Sequence, residues 1–278
     1  MDHLQRISIS RNARIWASGL FIIGTIYFGF PILWIVLSAT KSPEDFTSTP
    51  ALWFGHSFRL IQNIQTLFQA NNHIYLRWLA NSILYAGSGA LGVVIVSGLG
   101  GYALSKLIGR GASTLSAITL GMVMVPANAL VIPIFLLFAK IHMVGTIWSV
   151  ILPTLPSPLG LFLIKYYSDR NINDELIQAA RLDQASELQI YRLIALPILK
   201  PMLGTVFLIA FIANSNTYFL PQVMLSDIHL YPVTVGLSNS YGGHFEVVGI
   251  FIAMLPAILA FFVVQKSWQK GLTDGQYR

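Results

Sequence analysis

The sequence predicts an all-α polytopic membrane protein with six transmembrane helices, both termini cytoplasmic, and a folded cytoplasmic loop between helices 4 and 5. Three observations carry that expectation. Charged residues make up only 10% of the 278 positions, hydrophobic residues reach 55% and mean hydropathy is +0.66, which leaves too little charge to cover a water-exposed surface. Six stretches, 15–40, 78–105, 111–139, 141–164, 201–226 and 247–265, contain no Asp, Glu, Lys or Arg. Each supplies the roughly 20 apolar residues that cross a bilayer. Finally, with the N-terminus inside, Arg6, Arg11, Arg14, Lys106, Arg110, Lys165, Arg170, Arg181, Arg192, Lys200, Lys266, Lys270 and Arg278 fall on the inner side. Only Lys41, Arg59, Arg77 and Lys140 fall outside. This is the bias that orients membrane proteins, and it explains a pI of about 9.6 without a nucleic-acid partner.

The elements follow in order. The first apolar run is too long for a signal-peptide core, and no small-residue cleavage site follows it, so it reads as an uncleaved helix. The outer loop 41–77 has a short helical pattern near 60–68. The second span carries Gly87, Gly89, Gly92, Gly98, Gly100 and Gly101, small residues suited to close helix packing. The third contains Pro126 and Pro133, and the fourth Pro153, Pro156 and Pro158. Membrane helices tolerate proline when neighbours satisfy the freed carbonyls, although three prolines in six residues also suit a broken stretch. Pro201 opens the fifth span, where a missing N–H costs nothing. A second outer loop, 227–246, holds Gly242 and Gly243. Either outer loop suits contact with a partner outside the membrane or a lid over an outer gate.

The inner loop between spans four and five is patterned. Asn173 is an N-cap, followed by Asp174 and Glu175 in the positive first turn of a helix. Ala179 and Ala180 offer a small-residue surface. Ser186 to Gln189 form a capping-box pattern that starts a second short helix, carrying Leu188, Tyr191, Leu193 and Ile194 and stopped by Leu196-Pro197. The residues alone admit two readings: an amphipathic hairpin on lipid headgroups, or a docking element for a cytoplasmic protein.

Several functions are disfavoured. The sequence has no cysteine, hence no disulfide framework, thiol nucleophile or Cys-based zinc site. The spans carry no ionisable carboxylate or amine of the kind that ion-coupled carriers use. No zincin motif, intramembrane Ser-protease pattern or phosphate-binding Gly-rich loop occurs. The chain therefore reads as non-enzymatic and without its own cofactor or energy source. A stand-alone carrier or channel is the competing reading, and an intramembrane enzyme a third.

In the inner loop, Gln178-Ala179-Ala180, then Asp183-Gln184-Ala185, then Ile194-x-Leu196-Pro197 resemble the "EAA" loop of ABC-importer permeases. That loop's usual form is Glu-Ala-Ala, Asp-Gly-Ala and Ile-x-Leu-Pro. Asn81-Ser82, Val125-Pro126, Ile132-Pro133, Leu152-Pro153 and the tail Gly271-Leu272-Thr273-x-Gly275 are similar to the carbohydrate-type, MalG-like subfamily of the binding-protein-dependent inner membrane components. The resemblance covers residues 78–278, and more weakly the first span. It implies a permease core over 78–278, preceded by a tail, helix and outer loop over 1–77, with a coupling loop at 168–200. It further implies a multi-pass protein of the bacterial inner membrane that forms half of a sugar translocation path. Its partners would be a second permease subunit, two ATPase subunits that bind ATP and Mg, and an extracytoplasmic solute-binding protein. The implied ATPase-coupling residues are Asp174, Glu175, Gln178, Ala179, Ala180, Arg181, Asp183, Gln184 and Ala185. Gln178 and Gln184 depart from the family's Glu and Gly. A non-Gly residue at positive φ costs about 1 kcal/mol or more.

For a solute path, the polar residues Asn128, Asn214, Asn216, Thr217 and Tyr218 are candidates, because amide, hydroxyl and aromatic groups suit sugars and are costly against lipid. Interhelical hydrogen bonding uses the same residue types.

Overall fold

The structure, a computed structural model, describes residues 11–274. Arg6, Arg278 and Gly275 lie outside the described residues. The helices are α1 Arg11–Thr40, α2 Pro43–Ser48, α3 Leu60–Gln69, α4 Ile74–Lys106, α5 Ala112–Val123, α6 Val131–Lys140, α7 Ile147–Ile151, α8 Pro158–Asn171, α9 Asp174–Leu182, α10 Glu187–Ile190, α11 Leu196–Ser215, α12 Phe219–Met224, α13 Val233–Ser240 and α14 His244–Asp274. No strand occurs among the described residues. Five helices are long and apolar enough to cross a membrane, or six if one bent pair counts as a span. The chain divides into two compact units, residues 1–69 with 242–252 and residues 70–241 with 253–278.

In the first unit, α1 is apolar on every side. Trp16, Phe21 and Phe28 are 73–77% exposed, with Tyr27 among them, a surface that lipid or another protein covers in place of water. Beyond α1 the chain folds on polar contacts. Lys41 is buried and its Nζ donates to Pro50 O at 2.8 Å. Asn63 Nδ2 donates to Ala39 O at 2.9 Å and Lys41 O at 2.7 Å. The Ser42 hydroxyl accepts from the Asp45 N–H as the α2 N-cap. Asp45 Oδ1 lies 2.6 Å from His56 Nδ1, and Oδ2 accepts from the His56 N–H. Those bonds, chiefly the side-chain one to His56, hold the Asp45 carboxyl below the usual carboxylate range.

In the second unit, α4 packs along α8 and α11. The cluster between them includes Ala90, Val93, Ile164, Leu199, Leu203 and Val206. Glycines set the approach. A Cβ on Gly101 would lie 2.7 Å from Ile164 Cβ and 2.9 Å from Leu161 O. One on Gly98 would meet the Tyr191 hydroxyl, and one on Gly87 would meet nothing. The expectation of close packing thus holds for Gly89, Gly92, Gly98, Gly100 and Gly101 but not for Gly87.

Four sequence expectations need correction. The stretch 111–139 is not one continuous helix: α5 and the segment Ala127–Lys140 meet at a 92° bend. Pro126, with ψ 120°, is extended there, because proline donates no N–H and forces its predecessor out of the helical region. The fourth stretch is displaced, becoming helical at Ile147 and continuing to Asn171 instead of covering 141–164, while its interruption between Thr154 and Pro158 is the break that its three prolines suit. Leu196-Pro197 does not stop the second loop helix, and Pro201 lies inside α11. Residues Tyr191–Ala195 form a π turn in which the Leu196 N–H reaches back to Tyr191 O; that wider turn makes room for the Pro197 ring. Finally, α11 ends at Ser215, so the fifth stretch does not run to 226 and Asn216, Thr217 and Tyr218 lie past its helix.

Candidate functional site

The inner loop folds as its caps dictate. Asn173 Oδ1 accepts from the Glu175 N–H at 3.1 Å. The Ser186–Gln189 capping box is complete: the Ser186 hydroxyl accepts from the Gln189 N–H, and Gln189 Oε1 accepts from the Ser186 N–H. Between them α9 closes in a Schellman turn, with the Ala185 N–H donating to Ala180 O and the Gln184 N–H to Arg181 O, each at 3.0 Å. Gln184 sits at φ +60°, in the left-handed region that favours glycine, and bears the strain. Gln184→Gly is expected to stabilise the loop by about 0.5–1 kcal/mol. Slower amide exchange over 179–186 checks this, and unchanged or faster exchange would refute it.

Arg181 Nε donates to Glu187 Oε1 at 2.7 Å, bracing α9 to α10. Ile177 is buried, and Ala180 and Ala185 pack against the helix core. Asp174, Glu175, Gln178, Ala179, Arg181, Asp183 and Gln184 are exposed. The nine residues therefore form one contiguous segment whose outer face excludes Ala180 and Ala185. What sequence reading missed is Leu182: it is 84% exposed at the tip, with Leu188 at 62% and Leu193 at 75% on the neighbouring turns. An apolar residue between Arg181 and Asp183 was the available signal.

The path candidates divide. Asn216 Nδ2 donates to Ile212 O and Thr217 Oγ1 to Ala213 O, closing the last turn of α11. Asn214 Nδ2 is buried with no hydrogen-bond partner. It faces the space left by Gly89, where a Cβ would lie 2.5 Å from it and 2.8 Å from Thr154 Oγ1. Tyr218 is 40% exposed in the break before α12. Irregular backbone beside a span persists where it is buried in protein or lines a cavity. Asn128 stands separately, exposed in the 3₁₀ turn between α5 and α6.

The N-terminal end of α4 holds the loop after α12. Asn81 Nδ2 donates to His229 O and Tyr231 O, Trp78 Nε1 to Ile228 O, and Tyr85 OH to Leu230 O, while Ser82 Oγ accepts from the Val233 N–H. Asn81-Ser82 is therefore a clamp on the loop 228–233.

Residues 109–274 match the family model described as "Binding-protein-dependent transport system inner membrane component". The chain is 26% identical to the arabinooligosaccharides transport system permease protein AraQ of Bacillus subtilis (strain 168), covering 99% of this chain and 98% of that one. It is 28% identical to the trehalose/maltose transport system permease protein MalG of Thermococcus litoralis, covering 92% and 95%. A solved chain from a bacterial ABC transporter involved in the import of the acidic polysaccharide alginate superposes with a TM-score of 0.74 at 25% identity, over 92% of this chain and 98% of that one.

Proposed function

This chain belongs to the binding-protein-dependent transport system inner membrane components, and we propose that it is one half of the translocation path of an ATP-driven importer for a sugar or oligosaccharide. As a permease component it is a multi-pass protein of the inner membrane and is not itself catalytic. On this reading its partners are a second permease subunit, two ATPase subunits that bind ATP and Mg, and an extracytoplasmic solute-binding protein. The chain itself needs no cofactor. Both termini face the cytoplasm, residues 1–77 precede a permease core over 78–278, and the loop 173–197 seats on an ATPase.

One observation carries the coupling role. The loop is capped at both helix starts, braced by Arg181–Glu187, and still leaves Leu182, Leu188 and Leu193 uncovered by the rest of the chain. A rigid frame that exposes large apolar side chains beside charges is what a protein partner buries. The exposed residues Asp174, Glu175, Gln178, Ala179, Arg181, Asp183 and Gln184 form the docking face, and Ala180 and Ala185 seat it on the core. ATP-driven closure of the ATPases then moves the loop as a rigid body and switches the path between inward-open and outward-open states. Asn128, Asn214, Asn216, Thr217 and Tyr218 line the solute's route. The sugar class is supported by the arabinooligosaccharides that AraQ is named for and the trehalose and maltose that MalG is named for.

The test is recovery of ATPase subunits with the chain purified from membranes. Deleting residues 174–184 should abolish that recovery. Persistence of the complex without the loop, or purification of the intact chain alone, would refute the reading.

A further inference from the structure

We propose that Lys106 is a positioning residue, the strut through which movement of the inner loop reaches α4; this rests on the reading that residues 173–197 dock on an ATPase. Lys106 is the last residue of α4, and its side chain is only 6% exposed. Its ammonium lies 2.6 Å from Asp174 Oδ1, in the first turn of α9, and 2.7 Å from Ile172 O, at the C-cap of α8. One cation therefore bridges both sides of the α8–α9 junction to the end of α4. A buried ammonium is tolerated only with such partners, and the lysine stem supplies the reach while its three donors serve both acceptors.

Neighbouring contacts make this junction stiff. Ser105 Oγ donates to Asp169 Oδ1 at 2.6 Å, and Lys165 pairs with the other Asp169 oxygen at 2.8 Å. One turn earlier, the Tyr102 ring packs 5.2 Å from that of Tyr191, at the start of the π turn. The last two turns of α4 thus meet α8, the start of α9 and the end of the loop together.

The other end of α4 shows what such a strut accomplishes. α4 has 33 residues, about 50 Å of helix at 1.5 Å per residue. Along it lie Gly89, facing Asn214, and then Asn81 and Ser82, bonded to the outer loop 228–233. A displacement applied at Lys106 is carried by this rod past the path candidates to the outer loop. Asp174 is 74% exposed and water replaces its lost partner, so losing the ammonium disconnects the loop more than it disrupts the core.

The experiment uses the complete transporter in proteoliposomes, with cysteine-free partner subunits and a fluorophore on a single cysteine replacing His229; the native chain has no cysteine. ATP with vanadate should change the signal in the parent and in Lys106→Arg. In Lys106→Met the ATPases should remain bound and hydrolyse ATP, while the signal change falls about fivefold or more. Asp174→Asn, which keeps the bond to Ile172 O, should lose less with parental levels of bound ATPase and hydrolysis; a loss that instead tracks lost ATPase reports docking by Asp174 and overturns the strut. A full signal in Lys106→Met overturns the proposal. So does a signal loss matched by an equal loss of bound ATPase or hydrolysis, since Lys106 would then only maintain assembly. If Lys106→Met fails to assemble, an undiminished signal in Asp174→Asn overturns it. A parent complex that recovers no ATPase refutes the docking reading instead.

Discussion

Leu182→Asp should strip the ATPase subunits from the transporter while leaving the chain folded. Leu182 is the last residue of α9 and is 84% exposed, so the isolated chain gains nothing from its apolar side chain and loses nothing when it turns polar. On the proposed docking the same side chain becomes buried, and an aspartate there would be desolvated without a partner. Central apolar anchors of interfaces typically carry about 2 kcal/mol or more, roughly thirtyfold in affinity. The loss should appear as reduced co-purification of ATPase with unchanged membrane abundance of the chain. Leu182→Met, which keeps the volume, should behave like the parent. An aspartate variant that retains its ATPase at the parental level would place the docking face elsewhere on the chain.

Gly101→Leu should prevent the chain from accumulating in the membrane. The position faces α8 so closely that even a methyl would lie 2.7 Å from Ile164 Cβ and Cγ2 and 2.9 Å from the Leu161 carbonyl oxygen. The obstacle includes backbone, so no rotamer change relieves it and the helices must separate. Ile164 is fully buried in the cluster shared by α4, α8 and α11, and separation opens that cluster along several turns. Overpacking of this kind costs about 1–3 kcal/mol, occasionally more, against the marginal stability usual for folded proteins. Gly87→Leu is the matched control: the same helix and substitution, with nothing within 4 Å of the added carbon. The measurement is the amount of each variant in membranes and the temperature at which it unfolds in detergent. Equal behaviour of the two variants would refute this account of the packing.

Much of this architecture was legible because it rests on local chemistry. Asn173 with Asp174 and Glu175, and Ser186 with Gln189, satisfy orphan N–H groups within three residues along the chain. Those signals located both loop helices. The shortage of charge located the spans, because lipid penalises ionised groups wherever they fall.

The breaks were harder, since the same residue type had opposite outcomes. Pro126 ends a helix, whereas Pro197 is absorbed by a π turn and Pro201 by the helix interior. Which of these happens depends on whether neighbouring helices support the freed carbonyls, a tertiary matter invisible in a charge-free window. The roles of Asn81 and Lys106 were hidden for a related reason: their partners lie about 150 and 70 residues away. The strain at Gln184 was readable only against the Asp-Gly-Ala form of the loop that the sequence resembles. The exposure of Leu182 emerged once Ile177 and Ala180 had been seen to turn inward.

On the proposed function the chain moves sugars only as part of an ATP-driven assembly. The most direct test of that is uptake into proteoliposomes of a panel of labelled mono-, di- and oligosaccharides, with ATP present or absent inside. The account predicts uptake of at least one sugar when the ATPase and second permease are present, the binding protein is outside and ATP is inside, and none when ATP is withheld. Uptake by the purified chain alone, without ATP, would contradict it.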